Sequence, residues 1–118
     1  MRDHSRLRAF QQADALIKDV YRLTASFPRT ELFGLTSQIR RAAVSIATNI
    51  VEGCARPSQV EYLRFLDMAY GSAREVEYQI GLSEHLGFIT REQSKRINES
   101  CVLTSKLLGR LIIAIRKR

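Results

Sequence analysis

Four stretches of this chain repeat their apolar residues every three or four positions, and none alternates them. That period is the one-sided stripe of an amphipathic helix, whereas a half-buried strand alternates. In the first stretch Leu7, Phe10, Ala13, Ile17, Val20 and Tyr21 recur at this step, which predicts a helix over about 5–26 stopped by Pro28. The second, about 36–54, puts Ile39, Ala42, Ala43, Ile46, Ala47, Ile50 and Cys54 on one side. The third, about 58–86, opens on Ser58 with Glu61 three residues on as a capping-box partner, and ends at Gly87. Its inward side holds Tyr62, Leu63, Leu66, Ala69, Tyr70, Ala73, Val76 and Ile80. The fourth, about 90–116, opens on a second such pair, Thr90 and Gln93, and repeats Ile97, Cys101, Thr104, Leu108, Leu111 and Ile115.

Short connections between such helices favour antiparallel neighbours. The expected fold is therefore all-α, an up-down-up-down antiparallel four-helix bundle forming a single domain over residues 1–118. Several of the helices are apolar around more than half their circumference. That exceeds what an isolated bundle needs, so a homo-oligomer is expected.

Charge is distributed unevenly. Residues 90–118 hold eight basic and two acidic side chains, while residues 31–89 hold five basic and seven acidic. On the fourth helix Arg91, Lys95, Lys106, Arg110 and Lys117 share one arc, interrupted by Glu99 and extended by Arg116 and Arg118. A solvated face normally mixes signs more evenly than this eight-to-two imbalance. An acidic partner, RNA or DNA, is the reading that fits. No aromatic residue lies on the stripe, so binding led by the phosphate backbone is expected rather than base stacking.

Other classes find little support. The longest apolar run, Leu111–Ile115, is far too short for a membrane span, and the N-terminal MRDHSRLRAF has no apolar signal core. Cys54 and Cys101 stand alone, as reduced thiols do in a cytoplasmic protein. His4, in an expected loose terminus, and His85 are isolated too. No metal site, cofactor site or phosphate-cradling glycine loop is expected.

The stretch RRAAVSIATNIVEG, residues 40–53, places Arg41, Ser45, Asn49 and Glu52 opposite its apolar side. This stripe reads as a ligand or catalytic site with Glu52 as base, as a solvated face, or as a set of structural polar anchors. Anchoring is favoured, because Glu77 falls among the inward residues of the third helix and needs a partner. Arg41, in the same chain or across a subunit boundary, is the expected one. Gly71-Ser72 in mid-helix predicts a close approach of helices.

Two segments carry a resemblance. FPRTELFGLTSQIRRAAVSIATNIVEGCAR and EYLRFLDMAYGSAREVEYQIGLSEHLGFI, within Phe27–Ile89, resemble the 23S rRNA intervening-sequence family of four-helix bundles. The family pattern is F-P-x-x-E-x-[FY]-G-L-x-x-Q-[LI]-R-R-A-x-x-S-I, then N-I-x-E-G, then L-R-F-L-x-x-A-x-G-S-x-x-E. The resemblance implies a bacterial, ring-like homopentamer. It extends distantly to the accessory variability determinant of diversity-generating retroelements, a pentameric bundle that binds a reverse transcriptase and nucleic acid. Five copies, each +7, would carry about +35. Two positions depart from the pattern. Ala47 stands where Ser-Ile-Pro-Ala-Asn has proline, which predicts a straighter helix, and Cys54 stands where an aromatic is common.

Two function classes follow. One is a non-enzymatic oligomer that binds nucleic acid, including as accessory to an enzyme such as a reverse transcriptase. The other is a ring-forming adaptor for a protein partner, without nucleic acid. No catalytic residue is expected in either.

Overall fold

The computed structural model describes residues 2–118. Helix α1 spans Arg8–Thr24, α2 Leu35–Cys54, α3 Gln59–His85 and α4 Arg91–Arg116, and the described residues contain no strand. At 1.5 Å per residue, α3 and α4 each rise about 40 Å and nearly fill the 45 Å long axis. Helix α1 lies against α2 and α4, and α3 lies against the same two. Neither diagonal pair approaches within 8 Å between Cα atoms.

Local signals set most boundaries. Thr90 Oγ1 accepts from Gln93 N–H at 3.1 Å, and the Gln93 amide oxygen accepts from Thr90 N–H at 2.9 Å, a complete capping box. At α3 only half of the expected box forms. Ser58 Oγ accepts from Glu61 N–H, with no return bond from the carboxylate. Gly87 takes φ +80°, and its N–H and that of Phe88 bond back to Glu84 and Ser83, a Schellman closure. Phe88 then packs on Phe27 with ring centroids 5.5 Å apart, tying the α1–α2 and α3–α4 connections together.

The first helix starts later than its periodicity implies. Asp3 Oδ1 accepts from Ser5 N–H and caps a separate 3₁₀ turn, His4–Arg6, after which Leu7 is extended. The N-terminal segment is not loose. His4 meets the Phe10 ring edge-on at 4.8 Å. Arg2 lies over the Tyr62 ring at 4.0 Å and donates to the Arg56 carbonyl oxygen at 2.9 Å.

Leu16, Ile39, Ile46, Ile50, Leu66, Ile80, Leu108 and Ile115 are fully buried at the centre. Each contributes roughly 1.5–3 kcal/mol by leaving water. Tyr21, expected inward, is 44% exposed, and Ile112 rather than Leu111 is buried on α4. The close helix approach lies at Gly53, not at Gly71. A Cβ on Gly53 would fall 2.9 Å from Phe65 Cβ and 3.2 Å from Tyr62 Cδ1, so α2 and α3 meet where no side chain fits. A Cβ on Gly71 would meet nothing within 4 Å.

Candidate nucleic-acid interface

Helix α4 turns Ile97, Cys101, Thr104, Leu108, Ile112 and Ile115 into the core, which fixes its opposite face outward. Arg91, Lys95, Lys106, Arg110, Arg116, Lys117 and Arg118 are all exposed on that side and at the chain end. Of the seven, only Arg116 has an acidic partner within 4.0 Å among the described residues: its Nη2 lies 3.3 Å from Asp67 Oδ2 on α3. The other six have none, and Glu92 and Glu99 of the same helix, both exposed, approach no cation that closely. The cations are spread along a helix about 39 Å long, given the rise of 26 residues, and outnumber its two acids.

The stripe on α2 divides. Asn49 Nδ2 donates to the Ser45 carbonyl oxygen at 2.9 Å and to its Oγ at 3.0 Å, and Ser45 Oγ meets Ser72 Oγ of α3 at 3.0 Å. This seam links α2 to α3, and it is where Ser72 acts. Glu52 is exposed, and its side chain makes no hydrogen bond or ion pair among the described residues.

Within one chain Arg41 does not pair with Glu77. Arg41 is exposed and makes no hydrogen bond or ion pair among the described residues. Glu77 is half-buried and lies 3.6 Å from Arg74, one turn away on its own helix. Partial exposure lowers the cost of its charge, so a neighbour at i−3 suffices.

The anchoring arginine is Arg40. It lies over the Tyr21 ring at 4.6 Å and donates to Thr24 Oγ1 at 2.8 Å, holding the start of α2 to the end of α1. The sequence reading missed Arg40, as it missed Arg2. No spacing rule links residues 40 and 21, or 2 and 62, because each pair meets across a helix boundary.

Burial pushes the Cys54 thiol above its ordinary value. Burial and the nearby Glu77 charge push Cys101 from 9.0 to about 12, and burial with the neighbouring Cys54 pushes Tyr62 from 10.0 to about 12. Both thiols are thus held protonated at neutral pH, the weakly nucleophilic form. Among the described residues no group of three or more His, Cys, Asp or Glu side chains could hold a metal ion, and no helix is long and apolar enough to cross a membrane.

A family model described as 23S rRNA-intervening sequence protein matches residues 5–110. The chain belongs to this family. It is also similar to a solved structure of a protein of unknown function from the S23 ribosomal protein family of Bacteroides thetaiotaomicron VPI-5482. The TM-score is 0.79 and the identity 27%, over 88% of this chain and 97% of that one. No curated protein matches. In this member of the intervening-sequence family α2 is one continuous helix through Ala47, and Cys54 is buried beside Tyr62.

Proposed function

We propose that this chain is a non-enzymatic, cytoplasmic protein that binds RNA or DNA through the outer face of α4 and works as an assembly of several copies. The observation that carries the reading is that, of the eight cations from Arg91 to Arg118, only Arg116 has an acidic partner among the described residues. Isolated surface charges are solvated at little gain, but a row in which cations outnumber acids releases counterions when it meets phosphates. Backbone-led binding of this kind suits an accessory to a nucleic-acid enzyme such as a reverse transcriptase.

The proposed architecture is an up-down-up-down antiparallel bundle in a ring-like homopentamer. Contacts between helix ends support the alternating direction. Arg40 near the start of α2 reaches Thr24 at the end of α1, and Gln59 at the start of α3 reaches the Ile115 carbonyl near the end of α4. The subunit number rests on the family. The outer side of α3 offers an assembly surface: Val60, Met68 and Tyr78 are exposed, with Gly71 leaving a flat approach between the last two. Across that boundary Arg41 could also find the carboxylate it lacks in its own chain.

A salt series tests the function. Light scattering with labelled RNA or DNA should show an oligomer that takes up nucleic acid and releases it as salt rises, with log affinity falling by about 0.9 per phosphate contacted. Indifference to nucleic acid at low salt would favour the second reading, a protein-binding adaptor. That reading draws on exposed apolar side chains, chiefly Phe33 at 93% and Val60 at 78%.

A further inference from the structure

The cations of α4 border a groove that the sequence pattern does not reveal. Between α3 and α4 lies an opening of about 460 Å³, lined by Tyr70, Arg74 and Glu77 on one side and by Lys106, Gly109, Arg110 and Ile113 on the other. Tyr70 is half-buried. Gly109 of α4 lies against it: an added Cβ there would sit in van der Waals contact with Tyr70 Cε2, at 3.9 Å. Lys106 and Arg110 stand one turn apart at the rim, about 6 Å along the axis, and neither has an acidic partner. Arg74 faces them from α3 and holds Glu77 at 3.6 Å. Ser105 Oγ, buried in the α4 wall, has no hydrogen-bond partner among the described residues.

We propose that this groove seats an unstacked base of a single-stranded nucleic acid. The Tyr70 ring supplies the stacking face, Ile113 the apolar rim, and Lys106 and Arg110 hold the flanking phosphates. The inference rests on the nucleic-acid reading above and narrows its substrate class. Unpaired cations call for a polyanion, and an aromatic ring lining the same groove calls for a flat, apolar group. A single strand carries both along one chain. A duplex keeps its bases stacked inside, so it can use the cations but not the groove. The opening beside Tyr21 also joins a ring to arginines, but there Arg40 already lies over the ring at 4.6 Å. The α1–α4 opening pairs Arg22 with Asp19 and has no aromatic ring, and the one near Val60 and Met68 holds the Arg116–Asp67 pair. The stacking residue was hidden because it comes from α3, not from the charged stripe itself.

The test compares a labelled single-stranded oligothymidine with a blunt DNA duplex of equal length, by fluorescence anisotropy at low salt. The full chain is used, with Tyr70→Leu, Tyr70→Phe and Tyr70→Trp variants. The single strand should bind more tightly than the duplex. Tyr70→Leu should weaken the single strand about 5- to 150-fold, the loss of one stacked base, and leave the duplex unchanged. Tyr70→Phe, which keeps the ring, should restore binding. The chain has no tryptophan, so Tyr70→Trp gives one reporter, which the single strand should quench and the duplex should not. If wild type binds both forms equally and neither Tyr70→Leu nor the tryptophan signal distinguishes them, the groove proposal is overturned while the α4 reading stands. If wild type binds neither form at low salt, both fall.

Discussion

Helices α1 and α4 both carry several cations, and they handle them in opposite ways. On α1 each of two cations has an acid one turn away: Lys18 lies 3.1 Å from Asp14 and Arg22 lies 3.2 Å from Asp19. Just before the helix Arg6 lies 3.8 Å from Asp3. Of the three cations on α1, only Arg8 has no acid within 4.0 Å among the described residues. Helix α4 and the two residues after it hold eight cations, and among the described residues their one ion pair reaches across to α3. Charge count alone would rate both helices as basic. Pairing separates them: α1 has two of its three cations matched within the chain, whereas α4 has a single matched cation, Arg116.

The largest expected effect breaks that contrast directly. Lys95, Lys106 and Arg110, all changed to Glu, should weaken nucleic-acid binding at low salt by about 100-fold or more. The fold should survive, since all three side chains are exposed. Changing Arg6, Lys18 and Arg22 to Gln should alter affinity by about threefold at most, because those charges are already met. Anisotropy titrations on the two triple variants decide it, and equal losses would erase the distinction between the helices.

Alkaline pH should act on the core. Cys101 and Tyr62 have folded values raised from 9.0 and 10.0 to about 12, so the folded chain holds these protons more tightly than the unfolded one. Their contribution is complete below about pH 9 and is lost as pH rises towards 12. Denaturant midpoints should fall across that window, and a flat profile would contradict the burial of these groups.

Two glycines sharpen the contrast between packed and open helix surface. Gly53→Ala should lower stability by about 1–2 kcal/mol, since its Cβ meets Phe65 Cβ at 2.9 Å. Gly81→Ala, with nothing within 4 Å, should raise it by up to about 1 kcal/mol through helix propensity. Urea unfolding of both variants reads the sign. The smallest effect separates adjacent arginines. Arg40→Ala should cost about 1 kcal/mol by removing the Tyr21 and Thr24 contacts, whereas Arg41→Ala should leave the stability of the single chain within about 0.5 kcal/mol. A Tm loss at Arg41 equal to that at Arg40 in the dissociated chain would reverse their roles.

Sequence alone determined the helical class, the four elements and the basic bias of the last one. Those are local properties: a three-to-four period, a Thr90–Gln93 cap and a Gly87 stop each act within a turn or two. Where one residue had to choose among distant neighbours, periodicity was silent. It could not tell Arg40 from Arg41, Gly53 from Gly71, or a loose N-terminus from Arg2 clamped on Tyr62. It could not set Tyr70 of α3 beside Lys106 and Arg110 of α4. Such pairings depend on the rotation and axial offset of one helix against another, and these are settled by how whole faces interdigitate. The tertiary structure alone therefore decided which charges are neutralised within the chain and which stay open to a partner.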